Sequence, residues 1–187
     1  NFKVDGDLNT QEGLISAKDI KRYTNINLDF LENKFISGTT KNKFSFSVDK
    51  DRKIKNLNLE SAINFDKIYF DKKFQDLIFL KNGEINAYYN NKNLNIKINS
   101  QYQFINNKYN NKNQKDKINF NITRQKNNDF EIEVLFKNKK NTISSSEIKN
   151  YLKLSKNLAL EKQNLTFGSD NKINFNIDQN LNIKNVK

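Results

Sequence analysis

The chain contains no His, Cys, Met, Trp or Pro, and only 5 Gly in 187 residues. Without thiols or imidazoles it has no zinc-finger or His-ligated metal site, no Ser-His-Asp or Cys-His nucleophile, and no disulfide framework. The glycines, Gly6, Gly13, Gly38, Gly83 and Gly168, stand too far apart to form a P-loop or a dinucleotide fingerprint. Long hydrophobic runs are missing as well. The longest, Leu77 to Leu80, falls far short of the roughly 20 residues that cross a bilayer.

Arginine is the scarcest cation, with 3 copies against 30 Lys, while Asn reaches 36 and Ile 20. That balance is the mark of a very AT-rich coding sequence. A formal net charge of +12 suggests polyanions, because clustered cations displace counterions from phosphates. Bidentate recognition of phosphate and guanine relies on Arg, however, so composition argues against a nucleic-acid partner.

Leu, Ile, Val and Phe total 55 residues, 29% of the chain, above the roughly 20% below which charged chains stay unfolded. The chain is expected to fold. Yet Ala, Val, Ile, Leu, Phe and Gly make only about a third of it, against roughly 45 to 50% in ordinary domains. That supplies one apolar sheet face, not two.

Strict period-two alternation is the dominant pattern, as in strands with one buried and one wet face. It runs through Ile26, Leu28 and Phe30; Phe44, Phe46 and Val48; and Leu57, Leu59, Ile63 and Phe65. It continues in Ile85, Ala87 and Tyr89, in Leu94, Ile96, Ile98, Tyr102 and Phe104, in Ile118, Phe120 and Ile122, and in Phe130, Ile132, Val134 and Phe136. Leu165 and Phe167, Ile173, Phe175 and Ile177, and Leu181 and Ile183 close the series. Register kept over so many runs argues against an Asn-rich disordered or cross-β segment, although Asn is disfavoured in strands.

Polar breaks that suit turns lie at Asp5-Gly6, Asp49 to Lys53, Asn82-Gly83, Asn90 to Asn93, Asn106 to Lys117, Lys126 to Asp129, Lys137 to Asn141 and Gly168 to Lys172. Ser144-Ser145-Ser146-Glu147 has capping-box spacing, and Ile148, Tyr151 and Leu152 follow at helical spacing, so one short helix is expected from about Ser145 to Leu154. The fold class is therefore mainly β: a long antiparallel meander curled into an open groove, with at most one short helix. Residues 1–187 read as a single segment, and patterned sequence at both ends reads as a slice of a longer, repetitive protein.

Local motifs carry little chemistry. Between Ile85 and Lys115 lysines interleave with Tyr88, Tyr89, Tyr102, Phe104 and Tyr109, as on a single-strand nucleic-acid platform. Tyr102 and Phe104 share phase with Leu94, Ile96 and Ile98, so they belong to the apolar face instead. Asp5-Gly6-Asp7-Leu8-Asn9 resembles half a calcium loop but has Thr10 and Ser16 where such a loop needs Gly and Glu. Asp129, Glu131 and Glu133 line the wet face of one strand, with nothing to separate their pKa values for acid–base work. The sequence predicts no enzyme and no cofactor.

An apolar sheet face must be covered by a second sheet, helices, a partner or lipid. The expected lining of a trough is Leu94, Ile96, Ile98, Phe104, Phe120, Ile122, Ile132, Val134, Phe175 and Ile177, with Asn and Lys outside. Phospholipid or another acyl-chain lipid would satisfy it. The alternative is a structural or adhesive β domain of a cell-surface protein that binds a protein partner.

The phrases Val4-Asp5-Gly6-Asp7-Leu8, Gly13-Leu14-Ile15-Ser16-Ala17-Lys18-Asp19-Ile20 and Leu80-Lys81-Asn82-Gly83-Glu84-Ile85-Asn86-Ala87-Tyr88 resemble repeats of the AsmA-like family, with its YhdP- and TamB-type members. The likeness is one of rhythm and spans most of the chain. It implies a periplasmic β-groove, tethered to the inner membrane by a helix outside these residues, that carries phospholipid toward the outer membrane. It brings no catalytic residue with it.

Overall fold

A computed structural model describes residues 2–16, 18–19, 22, 36–70, 78–104, 116–125, 128–144, 164–178 and 182–186. Among them nine strands form one antiparallel sheet: β1 (Phe2–Ile15), β2 (Ile36–Val48), β3 (Ile54–Tyr69), β4 (Ile78–Asn90), β5 (Asn93–Phe104), β6 (Lys117–Gln125), β7 (Phe130–Ser144), β8 (Asn164–Ile177) and β9 (Ile183–Lys184). Spatial order equals chain order. The sheet is an open meander whose first and last strands are its edges, as the alternation predicts.

Short connections gather at one end of the sheet, and an Asp or Asn side chain closes three of them. Asp49 Oδ1 accepts from the N–H groups of Asp51 and Lys53, both at 2.9 Å, with Arg52 at φ 60°. Asn90 Oδ1 accepts from Lys92 N at 2.9 Å and Asn93 N at 2.7 Å. Asp178 Oδ1 accepts from Asn182 N at 2.9 Å. The longer connections, between β1 and β2, β3 and β4, β5 and β6, and β7 and β8, all leave from the opposite end.

Four expected turns are strand instead. Asp5-Gly6 lies within β1 opposite Ser45 and Phe44, and Asn82-Gly83, Lys137 to Asn141 and Gly168 to Lys172 lie within β4, β7 and β8. At two of these sites the pairing register shifts, between Lys81 and Glu84 and between Asn138 and Asn141. Bulges absorb the irregularity and let the ladder continue. Asn82, at φ 48°, takes the left-handed conformation there, and no glycine does. Gly83 has another role: a Cβ on it would collide with the Phe65 ring, which lies across its backbone from the paired position on β3. Gly6 stands in the same relation to Phe44. An aromatic laid over a cross-strand glycine fills the space the missing side chain leaves.

The expected strand at Ile26 to Phe30 and the expected helix from Ser145 to Leu154 lie outside the described residues. A helical start that the sequence reading passed over appears at Ser16. Its backbone N–H donates to Asp19 Oδ2 at 2.9 Å and its hydroxyl does so at 2.6 Å, while Asp19 N donates back to Ser16 Oγ at 3.2 Å. This reciprocal cap precedes helical Lys18 and Asp19.

Little of the described sheet is sealed. The buried apolar cluster is Phe65, Leu80, Tyr102, Ile118 and Val134, at 3 to 4% exposure, and none of the described residues has a large side chain below 2%. The described strands form a single layer, and no second layer of strand among the described residues faces it.

Candidate functional site: the apolar face of the sheet

Directly paired residues of adjacent strands present their side chains to the same face, so the register defines rows. One row runs Ile85, Ile98, Phe120, Val134, Ile173 across β4 to β8. The next runs Ala87, Ile96, Ile122, Ile132, Phe175. Beyond it lie Tyr89, Leu94 and Arg124, with Phe130 paired to Ile177. On the other side come Ser100, Ile118 and Phe136, with Leu80 paired to Tyr102. Each row is two residues, about 6.6 Å, from the next.

Nine of the ten residues expected to line a trough thus share one face. Phe104 pairs through its backbone with Ile78 at the end of β5, and its side chain lies outside the described residues. Val134 is the one lining residue that is sealed; Leu94, Ile96, Ile98, Phe120, Ile122, Ile132, Phe175 and Ile177 are half-buried. The face is therefore graded. Toward the end with the long connections, Leu80, Tyr102 and Ile118 are closed off, whereas toward the short turns Tyr89 is 40% exposed.

Phe65, Leu80 and Ile85 also belong to this face, although the expected lining left them out; alternation marks Phe65 and Ile85 as apolar positions, but not Leu80. Leu80 and Ile85 differ in parity, and only the bulge at Asn82 brings them to the same side. Tyr102 and Ile118 carry a visible signal, since Tyr102 keeps phase with Leu94, Ile96 and Ile98, and Ile118 with Phe120 and Ile122. The Tyr102 ring meets Phe136 edge-on at 6.0 Å, and its backbone N–H donates to Asp116 O at 3.1 Å. Burial, with the Asp116 carboxylate adding to it, pushes the Tyr102 phenol up to about 12.

The opposite face is polar. Rows such as Asn86, Lys97, Asn121, Glu133, Asn174 carry amides and charges of both signs, including the ion pair of Lys172 with Glu133 and that of Lys137 with Asp170 at 3.6 Å. A concavity of about 620 Å³ opens there between Lys41, Lys43, Glu60, Tyr88 and Lys97. Tyr88 and Tyr102, neighbours in the lysine-and-aromatic stretch, thus face opposite ways. Asp5 and Asp7 also lie on the polar side of β1, and Lys3 pairs with Asp5 at 3.1 Å. Among the described residues no group of three or more acidic side chains is placed to hold a metal ion, and no helix is long and apolar enough to cross a membrane.

No family model matches the chain, and no curated protein or solved structure shows significant similarity to it.

Proposed function

We propose that the apolar face shields acyl chains from water, and that the chain is a segment of an AsmA-like, inner-membrane-anchored periplasmic protein that passes phospholipid toward the outer membrane. The observation that carries the reading is the pair of unbroken apolar rows across β4 to β8, half-buried except at sealed Val134 and exposed Ile173, and facing no second layer of strand among the described residues. Every 100 Å² of such a face that a ligand covers contributes about 2.5 kcal/mol, so an acyl chain laid along two rows gains enough to offset its immobilisation. The polar face, rich in Asn and Lys, remains in water.

Native mass spectrometry of the protein, purified from membranes without detergent exchange, tests this. Adducts with the mass of a phospholipid or fatty acid, shed on collisional activation, are expected. A protein that emerges lipid-free in repeated preparations, and that takes up no fluorescent acyl probe, overturns the proposal.

A further inference from the structure

Within the block of apolar rows on β4 to β8, one charged side chain breaks the pattern. Arg124, one of only 3 Arg in the chain, occupies an inner-face position of β6 directly opposite Leu94 and two residues from Ile122. It is held in place. Its Nε donates to Asn128 O at 3.0 Å, and its guanidinium carbon lies 4.6 Å from the centroid of the Phe130 ring. Nε uses one of the five guanidinium N–H donors, and the ring braces the plane through a cation–π contact. The four donors on the terminal nitrogens enter no described ion pair. Asp129, the nearest acidic residue in sequence, is paired to Lys184 at 3.8 Å.

Position gives this residue its meaning. The apolar face is sealed at Leu80, Tyr102 and Ile118, each 4% exposed, and open at Tyr89, 40% exposed. Arg124 stands at the open end, six residues along β6 from Ile118, a span of about 20 Å. A ligand with an apolar tail therefore enters tail first and leaves its polar end beside Arg124. A planar guanidinium with free donors recognises a carboxylate or a phosphate in bidentate fashion.

We infer that Arg124 is the headgroup anchor of the trough, and that the ligand is an anionic amphiphile whose carboxylate or phosphate pairs with Arg124 while its acyl chain lies along Ile122 and Phe120, toward the sealed Ile118. The inference rests on the acyl-shielding reading above and adds to it a preference for negative charge at one defined end.

The test is competition against a fluorescent acyl probe, with the full chain and four ligands below their micelle-forming concentrations: oleate, monododecyl phosphate, oleyl alcohol and inorganic phosphate. Oleate and monododecyl phosphate are expected to bind about tenfold more tightly than oleyl alcohol, the value of one charge-assisted contact. Tail-less phosphate should not compete. Arg124→Gln should bring both anionic ligands down to the alcohol's affinity and leave the alcohol unchanged. Arg124→Lys, which keeps the charge, should restore part of the difference, and Phe130→Leu should reduce it without abolishing it. Circular dichroism confirms that each variant is folded.

If Arg124→Gln leaves the ratio of oleate to oleyl alcohol as it was, the anchor is wrong and the trough stands. If no amphiphile displaces the probe, the trough itself fails and the anchor with it. If phosphate alone competes through Arg124, the site is a simple anion site and the amphiphile is excluded.

Discussion

Ile96 and Ile118 show how the same residue type meets two environments on one face. Ile96 is half-buried in an apolar row, whereas Ile118 is 4% exposed and packs with Tyr102, Leu80 and Val134. A carboxylate in place of Ile118 has no route to water, so Ile118→Asp should cost about 3 to 5 kcal/mol in urea unfolding. Ile96→Asp leaves its charge able to reach solvent and should cost no more than about 1 to 2 kcal/mol. Equal costs at the two positions would mean that the trough is closed along its whole length. Tyr102 provides a titration test at the same scale. A phenol whose pKa is raised on folding contributes stability that is whole below the unfolded value of about 10 and is lost as pH climbs toward 12. Absorbance at alkaline pH should therefore show a tyrosine ionisation near pH 12 that disappears in Tyr102→Phe.

Strands lengthen here by passing through sequences that look like turns. At Asn82-Gly83, β4 keeps its partners on both sides because Asn82 adopts φ 48° and Phe65 lies flat over Gly83. Gly83→Val must push the Phe65 ring, itself 3% exposed, out of the buried cluster. The expected loss is about 2 to 4 kcal/mol, read by thermal or urea unfolding, since it combines overpacking with a displaced core aromatic. In the central strand β6, the Asn121 side-chain oxygen is buried without a hydrogen-bond partner. Asn121→Thr removes that unpaired amide, places a better strand former there, and should raise stability by about 0.5 to 1 kcal/mol. Much of this level was legible beforehand: eight of the nine strands coincide at least in part with runs that alternation marks, and three short turns fall where polar breaks were read. The bulges were not legible, because Asn-Gly favours positive φ in a hairpin and in a bulge alike, and only the neighbouring strands decide between them.

Over the whole molecule, a described sheet of one layer has less area to uncover on unfolding than a two-layer domain, so the denaturant slope of the ligand-free protein should fall below that of a compact chain of this size, because that slope follows the area exposed. Loading with an acyl ligand should raise the midpoint as RT ln(1 + [L]/Kd), with about 2.7 kcal/mol gained at a hundredfold excess over Kd. A midpoint insensitive to ligand would count against any use of the apolar face for lipid. The sequence by itself determined the mainly β class, the meander and nine of the ten lining positions on one face, because side chains alternate along any strand whatever its neighbours. It also limited the apolar supply to one face. Only the tertiary structure decided where that face closes and where it stays open, that Leu80 and Ile85 share it across a bulge, and that Arg124 stands at its open end. Those facts depend on register between strands distant in the chain, which no local pattern encodes.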